Sequence, residues 1–382
     1  MKNVFSTILV IFIIGFVSCS KPKADDPIIT PPVDTTPVVT PVVTRPKTIA
    51  DYNKVSDGLK DYFKGTDYFY IGGAIEPASV DNPTEVTFMK RHLSSLTCEN
   101  VMKWSNTEPT QGNFTFASAD KIVAFAQANG IKVRGHCLVW HNQVPSWVFV
   151  DGANAVTKDV LLERMRAHIT AVVNHFKGKV YAWDVVNEAI DDGGSTYKST
   201  NWYNICGEDF IIEAFKAARL ADPDVKLFYN DYSETNPTKR DKIYGLLQKL
   251  KSQNLVDGVG MQGHWNVDAP SNADITAAFD KYSSLGIDIH VTELDVSVYP
   301  NNSDPQVAYT SDTEQKLTTA YSRYFTLFRQ YKDKIGCVTF WGLADNHTWL
   351  TTFPVTSGRT NYPFLFDTQY VPKQAYFKVI DF

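Results

Sequence analysis

Residues 181–188, Tyr181-Ala182-Trp183-Asp184-Val185-Val186-Asn187-Glu188, form an apolar, β-branched run that closes abruptly on two polar residues. Paired valines and aromatics suit a strand. A carboxylate at its end belongs in an interior only if it is paired or functional, because an uncompensated buried charge is costly. Similar runs occupy Tyr70–Ile75, Leu96–Met102, Lys132–Val139, Lys226–Asn230, Gly258–Gln262, Asp288–Thr292 and Gly336–Trp341. Amphipathic stretches of helical period separate them. Asp120–Asn129 ends at Gly130, Leu161–Phe176 ends ahead of Gly178, and Glu208–Leu220 stops before Ala221-Asp222-Pro223, as backbone sterics require. Strands alternating with helices predict a parallel sheet with helical crossovers, and eight such strands predict an α/β fold, the closed (β/α)8 TIM barrel.

In a barrel of this kind chemistry sits on the loops after the C-terminal strand ends, and there the polar residues cluster. The second run leads into Glu99-Asn100-Val101-Met102-Lys103-Trp104, and the third closes with His136 and Trp140-His141-Asn142-Gln143. The fifth closes with Asn230-Asp231-Tyr232, the sixth with Gln262-Gly263-His264-Trp265, the seventh with Thr292-Glu293-Leu294-Asp295, and the eighth with Trp341-Gly342-Leu343-Ala344-Asp345. Hydrolysis of a glycosidic bond needs a proton donor for the leaving oxygen and a second carboxylate at the oxocarbenium-like centre. Glu188 and Glu293, from the fourth and seventh strands, supply such a pair. Asp295 lies two residues beyond Glu293, so on a regular strand both point to one side, while His290, three residues before it, points to the other.

From Glu99 to the C-terminus the chain resembles glycoside hydrolase family 10, whose members are mainly endo-β-1,4-xylanases. The resemblance rests on ENVMKW (99–104), GHCLVWH with Gln143 (135–143), WDVVNE (183–188), QGHW (262–265), TELD (292–295) and FWGLADNHTW (340–349), in order and at compatible spacing. It implies that Glu188 is the general acid/base and Glu293 the nucleophile of a retaining double displacement, with carboxyl groups about 5–5.5 Å apart. It places His264 between Glu293 and Asp295, sets Asn187 against a sugar 2-hydroxyl, and has Gln262 orient the nucleophile. Glu99, Asn100, Lys103, His136, Trp140 and Gln143 match positions lining the subsites on the non-reducing side. Trp341 and Trp349 match a platform and a lid over the sugar at the cleavage site. Xylan and xylo-oligosaccharides are the implied substrates. The sequence departs from the family pattern at Tyr197-Lys198-Ser199, where an arginine is usual, and at Asn346-His347.

No cofactor and no metal site is expected. His92, His168 and His175 fall on expected helices as surface or satisfied core residues, and His290 reads as packing or a local hydrogen bond. Two other readings of the domain are a metal-assisted hydrolase using His136, His141 and His264, and a glycan-binding protein without turnover. The absence of a His-x-His pair on the first strand and the presence of both glutamates weigh against them. Net charge is −5, and no lysine and arginine cluster fit for a row of phosphates stands out, so nucleic acid is not an expected partner.

Upstream, Lys2 and an apolar run from Val4 to Val17 precede Phe16-Val17-Ser18-Cys19. The run is short for a membrane span and reads as an export signal, 1–19, ending at a lipobox cysteine. The expectation is a diacylated Cys19 and a cell-envelope location, outer membrane or cell surface; an ordinary cleaved signal with an incidental cysteine is the alternative. Residues 20–47 are rich in Pro, Thr and Val, either a semi-rigid spacer or padding without fixed structure, and outside the fold in both cases. The catalytic domain is 48–382, expected to act as a monomer. Cys98, Cys137, Cys206 and Cys337 lack zinc-site spacing. Export permits disulfides, yet three of the four lie in apolar strand-like runs, so buried free thiols are the default.

Overall fold

The computed structural model describes residues 45–354 and 358–382. The expectations for 1–19 and for most of the 20–47 linker, Cys19 included, fall outside these residues. Eight parallel strands close on themselves: β1 (Tyr70–Ile75), β2 (Ser95–Cys98), β3 (Lys132–Val139), β4 (Ala182–Asn187), β5 (Lys226–Asp231), β6 (Gly258–Met261), β7 (Asp288–Ser297) and β8 (Ile335–Phe340). Each pairs with its sequence neighbours, and β8 pairs with both β7 and β1, which leaves no open edge. The expected barrel is therefore formed. Two runs differ by more than a residue at one end: β2 stops at Cys98, so Glu99–Lys103 is loop, and β7 continues five residues past Thr292.

The crossovers are α1 (Pro83–His92), α2 (Ala117–Ala128), α3 (Lys158–Phe176), α4 (Asp209–Ala221), α5 (Pro237–Lys251), α6 (Asn272–Ser283) and α7 (Ser311–Gln330); α8 (Gln374–Val379) follows β8. Side-chain caps fix five of these starts. Asn82, Thr157, Asn236, Ser271 and Thr310 each accept from an amide of the first turn, and Pro83 and Pro237 sit at helix starts, where a missing N–H costs nothing. α7 illustrates how a crossover seals the barrel. Leu317, Ala320, Tyr321, Tyr324, Phe325 and Phe328 recur at helical spacing, and all are fully buried. Among the described residues no helix is long and apolar enough to cross a membrane. The four cysteines are free and buried.

Inside the barrel the floor beneath the cleft is polar. The Arg134 guanidinium forks onto Asp184, and its Nε donates to His290 Nδ1 at 3.2 Å. His290 stacks on Phe228 with centroids 4.1 Å apart. His290 thus faces the lumen, the same side as Glu293, contrary to the alternation expected of a regular strand. The reason is a bulge. Three steps along β7, from Val291 to Leu294, match two along β8, so Thr292 and Glu293 turn the same way, and both meet the Asn230 side chain. A second bulge on β4, at Val185, turns both Asp184 and Asn187 inward.

Candidate active site

At the C-terminal mouth of the barrel lies a cleft of about 970 Å³, within the usual size of a ligand site. Glu188 and Glu293 both line it. Asn187 ends β4, and Glu188 follows with φ of 57°, a left-handed conformation that a glutamate adopts only when its surroundings impose it. Its carboxylate accepts three neutral hydrogen bonds: Oε1 from Gln262 Nε2 at 2.8 Å and Asn187 Nδ2 at 3.1 Å, and Oε2 from Trp140 Nε1 at 3.0 Å. Gln262 therefore serves Glu188 and not Glu293, the reverse of the expected partner. The side chain that meets Glu293 from across the barrel is that of Asn230, two strands away on β5, whose Nδ2 donates to Glu293 Oε1 at 2.7 Å and to Asn187 Oδ1 at 2.8 Å. Thr292 Oγ1 holds the other end of that amide at 2.6 Å. Gly260 leaves the room Asn230 needs, since a Cβ there would sit 2.1 Å from Asn230 Oδ1.

Glu293 has a different environment. Its Oε2 lies 3.2 Å from His264 Nε2, whose Nδ1 lies 2.9 Å from Asp295 Oδ2. Trp349 Nε1 donates to the same Asp295 oxygen at 2.8 Å. Burial works against a charged imidazole, but Asp295 and Glu293 on either side outweigh it and raise His264 well above its ordinary pKa. Burial likewise works against a charged Glu293; the His264 hydrogen bond and the His136 and His264 charges overcome it and leave the carboxyl below its ordinary value. One carboxylate is thus hydrogen-bonded by a cation, and the other by neutral donors, with the Lys198 ammonium 3.8 Å away and outside hydrogen-bond distance.

The wall residues take their places around this pair. Asn100 Oδ1 accepts from Lys103 Nζ at 3.0 Å and Gln143 Nε2 at 3.2 Å, and Asn100 Nδ2 donates to Glu76 Oε1 at 2.6 Å. Gln143 reaches the cleft through Asn100, and Asp295 through His264 and Trp349, whereas Glu99, Asn100, Lys103, His136, Trp140, Trp341 and Trp349 line it directly. Burial, and then the Glu76 charge, push the Glu99 carboxyl up to about 7. His136 Nδ1 is tied to Asp184 at 2.9 Å, with the Trp341 ring edge-on to it. Trp349 stacks with Phe353, centroids 5.1 Å apart, forming an aromatic flank.

The glycosyl hydrolase family 10 profile matches residues 58–382. The chain belongs to glycosyl hydrolase family 10. Among family 10 relatives it is 46% identical over 318 residues to endo-1,4-beta-xylanase B of Paenibacillus barcinonensis, covering 82% of this chain and 95% of that one. The crystal structure of a Paenibacillus barcinonensis xylanase complexed with a conduramine derivative superposes with a TM-score of 0.82 at 43% identity, covering 86% of this chain and 98% of that one. A mutant structure in complex with xylotriose superposes with a TM-score of 0.81 at 37% identity, covering 85% and 99%. Several lining residues of this family 10 cleft were not singled out from sequence as site residues: Lys198, Asn236, Trp265, Asp274 and Phe353. Lys198 Nζ lies 3.8 Å from Glu188 Oε2 and 4.5 Å from the Tyr232 ring centre. Its one sequence signal was the departure from arginine in the loop after β4. Asn230 carried the same strand-end signal as Glu188 and Glu293.

Proposed function

We propose that this protein is an endo-β-1,4-xylanase that cleaves internal bonds of xylan with retention of configuration. The observation that carries the reading is the contrast between two carboxylates facing one cleft, Glu293 hydrogen-bonded by the His264 imidazolium and Glu188 hydrogen-bonded by neutral donors alone, with the Lys198 ammonium 3.8 Å away. A nucleophile has to stay ionised, whereas a proton donor must be free to cycle. In the first step the Glu293 carboxylate attacks the anomeric carbon; the bond to the leaving oxygen breaks as Glu188 transfers its proton there, leaving a glycosyl ester on Glu293. In the second step Glu188, now a carboxylate, takes a proton from water, whose oxygen displaces Glu293 and restores the starting anomeric configuration.

Attack within the chain, as opposed to at its end, is supported by wall residues on both sides of the pair: Glu99, Asn100 and Lys103 from the loop after β2, and Tyr232 and Asn236 from the loop after β5. Xylan as substrate is supported by the relatives' names and by the xylotriose complex. Anchoring by a lipid on Cys19 at the cell envelope is part of this proposal; palmitate labelling that survives Cys19→Ala would remove it. Early-time proton NMR of xylotetraose cleavage tests the chemistry. The β-anomer of the new reducing end should appear first, and should not appear with Glu293→Gln. An α-anomer at early time refutes the double displacement, and cleavage of carboxymethyl cellulose in place of xylan refutes the substrate.

A further inference from the structure

The amides of Ala189 and Ile190, the two residues after Glu188, both end on one atom, the Tyr229 hydroxyl oxygen, at 3.0 and 3.1 Å. β5 alternates, so Asn230 turns into the barrel toward Glu293 while Tyr229 and Asp231 turn toward the helices. The Tyr229 hydroxyl donates its own proton to Asp231 Oδ2. Asp231 is fully buried, and its Oδ1 accepts from the Tyr232 amide at 2.9 Å and pairs with Lys239 Nζ at 2.9 Å. Lys239, in the first turn of α5 and 2% exposed, also reaches Asp192 at 2.7 Å on the loop that follows Glu188, and lies 3.5 Å over the Tyr232 ring. Neither Tyr229 nor Asp231 lines the cleft.

These contacts converge on a strained point. Glu188 stands at φ 57°, and a non-glycine residue held there costs about 1–3 kcal/mol unless its surroundings over-determine it. Its own amide is tied to the Asn230 carbonyl at 2.9 Å. The next two amides are buried with their residues, and without the Tyr229 oxygen both would lose their acceptor. Burial keeps the Tyr229 hydroxyl protonated, so it remains donor and double acceptor at once.

We propose that Tyr229, oriented by the buried Asp231–Lys239 pair, is a positioning residue for the proton transfer: it fixes the backbone turn that aims the Glu188 carboxyl at the leaving oxygen. This rests on reading Glu188 as the acid/base. Removal of the Tyr229 oxygen then harms the steps in which Glu188 moves a proton, to the leaving oxygen first and from water second, and spares formation of the glycosyl ester from a leaving group that needs no proton, because the Glu293 side of the site, built on the other face of β5, keeps its geometry.

The test compares full-length wild type, Tyr229→Phe and Glu188→Ala on xylotetraose, whose leaving sugar needs a proton, and on 2,4-dinitrophenyl β-xylobioside, whose leaving group does not. Tyr229→Phe should lower kcat on xylotetraose by roughly 10- to 100-fold, the scale of a small misplacement, with KM unchanged and the pre-steady-state burst of dinitrophenolate unaltered. An equal loss on both substrates, or no loss on either, overturns the proposal. Asp231→Asn, which keeps an acceptor for the hydroxyl but weakens its hold, should show the same selectivity in smaller degree, and it decides the matter by the same two outcomes if Tyr229→Phe does not fold. Glu188→Ala separates the two levels: if it slows both substrates equally, the acid/base reading itself falls, whereas selectivity in Glu188→Ala without selectivity in Tyr229→Phe overturns only the positioning role.

Discussion

Replacing His264 by glutamine keeps a donor near Glu293 but removes the positive charge, and so isolates what the imidazolium does for the proposed nucleophile. Across the 3.2 Å separation, two unit charges at an effective dielectric near 20 attract by about 5 kcal/mol, an upper bound because the cation is also desolvated. Opposite charges at such range lower a carboxyl pKa by about 1–3 units, or about 1.4–4 kcal/mol, which fits beneath that bound. The sign follows from the direction of the shift. Glu293 is held below its ordinary value, so its contribution to stability is present above the unfolded carboxyl pKa and is lost as pH falls through the folded one. His264 is held above its ordinary value, so its contribution is complete below the unfolded imidazole pKa and is lost as pH rises through the folded one. In His264→Gln the acidic limb of kcat/KM, which reports the free enzyme, should therefore move up by about 1–3 pH units.

The same substitution strands Asp295, fully buried and left with the Trp349 indole as donor. Breaking a buried pair costs about 3–5 kcal/mol, so the single variant should unfold at lower denaturant. His264→Gln combined with Asp295→Asn removes the stranded charge, and should recover much of that stability while keeping the displaced limb. The assay is a pH series of kcat/KM on an aryl xylobioside beside urea unfolding at a pH where both proteins are folded. An acidic limb that stays in place in both variants would show that the imidazolium does not hold the Glu293 charge.

Glu293→Gln should abolish xylan turnover, by roughly four orders of magnitude or more as expected for loss of a nucleophile acting in a unit, with an unaltered circular dichroism spectrum; retained activity in the pure variant contradicts the assignment. Trp140→Phe removes the indole donor to Glu188 Oε2 and should lower kcat on xylotetraose more than the dinitrophenolate burst, so equal losses would speak for a stacking role alone. Lys373→Met leaves the Asp345 carboxylate, now paired at 2.9 Å, buried without a cation, and should cost about 3–5 kcal/mol in urea unfolding at neutral pH, with Asp345→Asn in the same chain restoring most of it. Leu317→Ala in α7, fully buried, should cost about 2–5 kcal/mol and leave kcat unchanged; a change in kcat would mean that α7 packing reaches the site.

The barrel was legible because each strand is a short apolar run and most crossover helices carry their own start chemistry, all encoded within a dozen residues. β1 and β3 fall on the expected residues, and the other six shift only at their ends. The proposed pair, Glu188 and Glu293, was legible as cleft residues because carboxylates at the ends of apolar runs have few structural explanations. The partner sets were not. Gln262 follows β6 beside both candidate carboxylates, its carbonyl accepting the Glu293 amide and its side chain turning to Glu188, a division that local sequence does not encode. The orientation of His290 failed for the same reason, since strict alternation cannot anticipate an extra residue on β7.

By itself, then, the sequence determined the element order, the closed α/β barrel, the end of the barrel that carries chemistry and the two glutamates there, because periodicity, capping and the cost of burying charge are local properties. Tertiary structure alone decided which carboxylate an imidazolium holds and which neutral donors hold, that Asn230 links Glu293 to Asn187, and that Tyr229 receives the amides behind Glu188. Those outcomes depend on register and bulges between strands far apart in the chain, where a shift of one residue exchanges the lumen for the helix layer.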